Sequence, residues 1–111
     1  MLQEEKVIIK IKKKISNLGM MHPGSISEQY NVCGKADCKC KDKKNPQKHG
    51  PYYQLSYSIR GKSSSVFIKK KNLIEARMRI ENYKLFKELS IQLTKASVEY
   101  SKKIGFNCNE K

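Results

Sequence analysis

Between residues 52 and 100 the spacing of apolar residues switches from two to three and four, and that switch constrains the fold more than any other feature. In "YYQLSYSIRGKSSSVFIKK", residues 52–70, Tyr53, Leu55, Tyr57 and Ile59 alternate with polar side chains. A period of two marks a strand buried on one face, and Arg60-Gly61-Lys62 at the centre makes the segment a hairpin. With a two-residue loop at Gly61-Lys62, Tyr57 pairs with Val66 and Leu55 with Ile68. A loop at Arg60-Gly61 keeps the same parity, so either register presents the same apolar face. From residue 72 the period becomes helical: Leu73, Ala76, Ile80, Tyr83, Phe86, Leu89, Leu93, Ala96 and Tyr100, with Asn72 as the expected N-cap. A helix over 72–100 runs roughly 44 Å at ~1.5 Å per residue. A strand of about eight residues spans only roughly 26 Å. The helix is therefore expected to overhang its sheet and to meet the N-terminal helix, a second copy of the chain or a partner.

Upstream, Ile8, Ile11, Ile15 and Leu18 recur at steps of three, four and three, which predicts a helix over 2–18. Glu4 and Glu5 in its first turn and Lys12–Lys14 further on suit the helix dipole, and Gly19 is the expected left-handed stop. The rival is a strand, because Val7, Ile9 and Ile11 alternate and are β-branched. Residues 24–32, "GSISEQYNV", alternate after a Pro23-Gly24 turn. Ile26, Tyr30 and Val32 point one way, with Glu28 a misfit, and Ser25, Ser27, Gln29 and Asn31 point the other. The expected architecture is α+β: an N-terminal helix, a three-stranded antiparallel sheet with an inserted zinc-binding loop, and a long C-terminal helix. Residues 1–104 form a single zinc-stapled domain, and 105–111 form a flexible tail.

The zinc expectation rests on "CGKADCKCKDKKNPQKHG", residues 33–50. Cys33, Cys38, Cys40 and His49 provide three thiolates and an imidazole, a common tetrahedral set for structural zinc. Cys108 and His22 are alternatives for the fourth position. Gly34, Pro46 and Gly50 permit the tight turns required, and the segment lies between two expected strands, where a metal would staple a long connection. A catalytic zinc is disfavoured, because no clustered Glu or Asp stands ready as a base. Redox chemistry lacks a C-x-x-C pair, and no phosphate-loop or dinucleotide glycine pattern occurs. The chain is not expected to be an enzyme.

The charge is +14, from 24 Lys and Arg against 10 Asp and Glu. Self-repulsion on that scale favours a polyanionic partner, and nucleic acid comes first. A membrane is disfavoured, because no apolar run is longer than the three residues of Val7-Ile8-Ile9. The opening Gln3-Glu4-Glu5 does not read as a signal peptide, so the cytoplasm is the expected compartment. The charge is densest at residues 35–48, with six Lys against two Asp, and at 60–71, with five basic residues and no acid. The outer sheet face carries Gln54, Ser56, Ser58 and Arg60 on one arm, and Ser63, Ser65, Phe67 and Lys69 on the other. Short polar side chains let a sheet approach a groove, and amides, hydroxyls and cations can reach base edges or phosphates. The nucleic-acid-binding residues are therefore expected to be Lys35, Lys39, Lys41, Gln54, Ser56, Ser58, Arg60, Lys62, Phe67, Lys69, Lys70 and Lys71. Duplex DNA is favoured over RNA.

The stretches "GSISEQY", "CGKADCKC" and "HGPYYQLSY", with Gly61-Lys62 before a strand and a long helix, resemble a small uncharacterised bacterial family found in phage and mobile-element contexts. The resemblance covers about residues 20–95. It implies no activity, only that the block is a shared feature and that an accessory or regulatory role in a mobile element is reasonable. The order strand, hairpin, helix is also similar to DNA-binding domains that press a three-stranded sheet into the major groove, as in integrase arm domains. The alternative function is a protein-interaction module that dimerises, or docks on a nucleoprotein partner, through the C-terminal helix.

Overall fold

The structure, a computed structural model, describes residues 2–31 and 49–106. In chain order they form α1 (Gln3–Ser16), β1 (Ser25–Asn31), β2 (His49–Ile59), β3 (Lys62–Ile68), a short 3-10 turn (Lys70–Asn72) and α2 (Leu73–Ile104). The fold is α+β with one antiparallel sheet of order β1-β2-β3. The zinc-binding loop expected between β1 and β2 lies outside the described residues. Those residues group into two compact units, the first within His22–Ile80 and the second within Met1–Met21 and Glu81–Lys111.

In the first unit the two sheet faces divide by parity. Ile26 stands opposite Leu55 and Glu28 opposite Tyr53, while Leu55 stands opposite Val66 and Tyr53 opposite Ile68. Tyr53, Leu55 and, from the start of α2, Ile80 are buried. The hairpin turns at Arg60-Gly61, because Ile59 pairs with Lys62. The Gly61-Lys62 register is thus corrected: Tyr57 meets Ser64, not Val66, and Leu55 meets Val66, not Ile68. Arg60 and Gly61 have φ of 52° and 80°, the positive values that a type I′ turn requires at both central positions.

β2 starts earlier than its alternation suggested, at His49. Gly50 is therefore not a loop turn. It sits in the strand at φ 136°, where a Cβ would come within 2.7 Å of the Gln29 carbonyl oxygen. That close approach falls where the β1–β2 register shifts between Gln29 and Asn31. Tyr30, expected on the apolar face with Ile26, lies at this irregularity and is 53% exposed.

In the second unit α1 runs antiparallel to the distal part of α2. Glu4, near the start of α1, accepts from Lys103 at 3.0 Å, and beyond its end the Met20 carbonyl accepts from Asn82 Nδ2 at 2.8 Å. Ile11 and Leu89 are buried, and Ile8, Ile15 and Leu18 are half-buried. The expected packing of the distal stripe on the N-terminal helix thus occurs within one chain. The Glu5 carboxylate accepts from the Leu2 N–H at 3.4 Å, half of a capping box, since Leu2 has no side-chain oxygen to return the bond. The helix ends at Asn17, whose N–H donates to the Lys13 carbonyl at 3.1 Å. Gly19 is not the left-handed stop expected of it. A Cβ there would meet Asn82 Nδ2 at 3.2 Å, so its small size makes room for the bond between Asn82 and Met20.

Asn72 likewise does not cap α2 with its side chain. It closes the 3-10 turn, with its N–H donating to the Lys69 carbonyl at 2.8 Å. α2 carries its apolar residues in a winding stripe. The steps from Ile80 to Tyr83, Phe86 and Leu89 are each three residues, about 60° short of a full turn. The stripe thereby moves around the helix; Ile80 is buried in the first unit and Leu89 in the second. Among the described residues no helix is long and apolar enough to cross a membrane.

Candidate nucleic-acid interface

The polar face of the sheet is built by the same parity that buries Tyr53 and Leu55. Across the three strands it forms a row Ser25, Ser56, Ser65 and a row Ser27, Gln54, Phe67, with Ser58 beside Ser63 at the hairpin end. The serines and Phe67 are exposed, and Gln54 is half-buried. Ser56, Ser58, Ser63 and Ser65 line an open hollow with Gly24 and Gln54. Gly24 shapes its edge: at φ 111°, it lies so close to β2 that a Cβ would meet the Ser56 carbonyl oxygen at 2.2 Å.

Hydrogen bonds order this face. Ser58 and Ser63 share a hydroxyl contact at 3.0 Å. Gln29 Nε2 donates to Gln54 Oε1 at 2.5 Å and to Ser27 Oγ at 3.4 Å. Ser27 Oγ donates in turn to the Gln54 carbonyl at 3.4 Å. Gln29 is not among the expected binding residues. Alternation puts it on the right face, but only the register brings residues 29 and 54 side by side.

Cations stand at the rim. Arg60 and Lys62 are exposed at the hairpin tip, and Lys69, extended at φ −68° and ψ 144°, continues the alternation past β3. Lys70 and Lys71 differ, lying exposed in the 3-10 turn that leads into α2. Lys35, Lys39 and Lys41 lie outside the described residues. Phe67 is 63% exposed on this face, and Tyr52, opposite Gln29, is 43% exposed on it.

The expected metal ligands Cys33, Cys38 and Cys40, and the alternative Cys108, also lie outside the described residues. His49 is described through its backbone, which opens β2 opposite Asn31. His22 has a packing role: its ring meets Tyr57 edge-on at 4.8 Å, and its Nδ1 lies 2.7 Å from the Pro23 carbonyl oxygen. Among the described residues no three His, Cys, Asp or Glu side chains come together as a metal site.

On the opposite sheet face, Leu55, Val66 and Ile68 line a hollow with Glu75, Ala76 and Arg79 at the start of α2. Arg79 is held by Glu75 at 2.9 Å, and the Arg79 carbonyl accepts from the His22 N–H at 3.0 Å. These groups are engaged with one another. Over residues 1–78 the sequence matches a family model described as a domain of unknown function (DUF6788). No curated protein and no solved structure matches the chain.

Proposed function

This chain belongs to the DUF6788 family, whose description names no activity, and we propose that it binds nucleic acid, duplex DNA ahead of RNA, and carries out no chemistry of its own. One observation carries the reading: an ordered sheet face of short polar side chains, with Arg60, Lys62 and Lys69 at its rim. The conformation of Arg60 supports it. A non-glycine residue at φ 52° is strained, and Asn or Gly is the usual occupant of that turn position. A cation there is explained by work at the hairpin tip. The resemblance of residues 20–95 to a mobile-element-associated family is the support for an accessory or regulatory role in such an element, acting in the cytoplasm.

The test is the salt dependence of binding. Each cation that neutralises a phosphate adds roughly one unit to the salt slope of the binding constant. Changing Arg60, Lys62 and Lys69 together to Ala should weaken duplex binding and flatten the slope. The matched control is Lys10, Lys12 and Lys95, exposed lysines that make no ion pair among the described residues. Equal losses from the two sets would move the site off the sheet.

Structural zinc, bound by Cys33, Cys38, Cys40 and His49, belongs to the same proposal. Its support is the pairing of Asn31 with His49, partners about 4.5–5.5 Å apart at Cα in an antiparallel ladder. Cys33 follows Asn31 by two residues in the sequence. Elemental analysis of protein purified without a His-tag should find close to one zinc per chain. Folded protein with less than about a tenth of an equivalent would exclude a structural metal.

A second reading is favoured by α2 itself. Ile74, Met78 and Leu85 are 77%, 56% and 48% exposed, and their spacing places them within about 40° of one another on the helix surface. They suit docking on a protein partner or a second copy. Salt-insensitive behaviour with no retention on DNA or RNA would select that reading.

A further inference from the structure

We infer that the sheet reads A·T base pairs in the DNA major groove through Gln29, Gln54 and Phe67, with the Gln29–Gln54 bond holding the two amides together. This rests on the duplex-DNA reading above and adds a sequence preference to it. The starting point is the hydrogen-bond inventory of the two amides. Gln29 Nε2 has two N–H groups, and both are engaged, one by Gln54 Oε1 and one by Ser27 Oγ. That leaves Gln29 Oε1 and Gln54 Nε2 with no partner among the described residues. An acceptor on Gln29 and a donor on Gln54 are therefore free on the polar face, joined through a bond between side chains from neighbouring strands.

The major-groove edge of adenine is the complement of such a pair, with N7 accepting and N6 donating. Guanine offers two acceptors, N7 and O6, so an amide oxygen would face another oxygen. Phe67 supplies the second, independent indication. It stands directly opposite Gln54 in the β2–β3 register and is a large apolar ring, 63% exposed, on this polar face. The apolar feature of the major groove is the thymine methyl group, and a G·C pair has none. Donor, acceptor and ring thus favour the same base pair, or two adjacent ones. The scale fits as well: the three strands, about 5 Å apart, span about 10 Å, which a groove about 12 Å wide admits. The serine row beside them adds no bulk, and Arg60 and Lys69 remain for phosphates.

The experiment is selection of the full chain on a duplex DNA pool with a randomised core, followed by competition with defined variants of the winning site. We expect an A·T pair at a fixed position. Exchanging it for G·C should weaken binding roughly tenfold or more, and replacing its thymine by uracil, which removes only the methyl, should weaken it severalfold. Neither comparison requires a protein variant, so neither depends on a mutant folding. Gln54→Ala should then lose the preference for adenine over guanine, and Phe67→Ala should lose the difference between thymine and uracil while still binding. Tight duplex binding that is indifferent to both exchanges overturns the base readout and leaves the DNA-binding reading standing. Selection of RNA over DNA overturns the major-groove readout, since the A-form major groove is too deep and narrow to be read. No retention on any nucleic acid overturns both.

Discussion

Gly24 and Gly61 both hold positive φ, at 111° and 80°, yet their surroundings differ. A Cβ at Gly24 would strike the Ser56 carbonyl oxygen at 2.2 Å and Tyr57 Cβ at 2.9 Å, whereas nothing lies within 4 Å of one at Gly61. Gly61→Ala should therefore cost only the penalty of a left-handed backbone, about 1–2 kcal/mol. Gly24→Ala adds a clash with backbone and should lose more, about 3 kcal/mol or above. Urea midpoints at unchanged slope measure both. At the other unit, the bond from Lys103 holds the Glu4 carboxyl below its ordinary 4.5, a backbone hydrogen bond adds to this, and burial opposes it. A group whose pKa is lower folded than unfolded stabilises above the unfolded value and loses that contribution as pH falls through the folded one. Glu4→Gln should thus be less stable than the parent at neutral pH, and the gap should close progressively below pH 4.5. A gap independent of pH would show that the pair contributes through packing alone.

The hairpin is the element in which geometry and proposed function pull apart. Arg60 occupies the first left-handed position of its turn, where Asn is tolerated far better than a long side chain. Arg60→Asn should raise stability by about 0.5–1 kcal/mol while lowering the salt slope of duplex binding by roughly one unit. Thermal melts and binding titrations on the same variant read the two effects with opposite signs. In α2 the contrast is between neighbours one turn apart. Leu89 is 4% exposed and Leu85 48%. Leu89→Ala should cost about 2–5 kcal/mol, and Leu85→Ala within about 1 kcal/mol. If the Leu85 variant instead changed the oligomeric state by light scattering, the docking reading of that helix face would gain.

At the scale of the whole molecule, charge dominates. With +14 over 111 residues, the folded chain repels itself, and the ion pairs described are few: Arg79 with Glu75, Lys84 with Glu81, Lys102 with Glu99 and Lys103 with Glu4. Three of the four are local to one helix and exposed, each of little energetic weight. Screening should therefore stabilise the protein. The melting temperature should rise as sodium chloride takes the Debye length from about 30 Å at 0.01 M to about 8 Å at 0.15 M. A short DNA duplex should raise it further at low salt, by mass action on the folded state. A melting temperature indifferent to salt would mean that the cations are spaced widely enough not to repel, and would weaken the case for a polyanionic partner.

The helices, the strands and the two faces of the sheet were legible in the chain because each is a local repeat. Alternation in residues 52–70 and the three-four spacing of Ile8, Ile11 and Ile15 need only neighbours to be read. Much of the proposed interface was legible for the same reason, since parity alone puts Gln54, Ser56, Ser58 and Phe67 on one side. What only the tertiary structure decided concerns residues far apart in sequence. The Gly61-Lys62 and Arg60-Gly61 turns preserve the same parity, so no pattern separates them, and the choice falls to the backbone conformation of the turn and the strands it joins. The Gln29–Gln54 bond depends on a second register, that of β1 on β2, which no local pattern sets either. Gly19, which had the look of a helix stop, is small because Asn82 reaches past it to Met20. Periodicity is a property of one segment, whereas register and close approach belong to two segments at once, and their energies exist only after the chain has brought the two together.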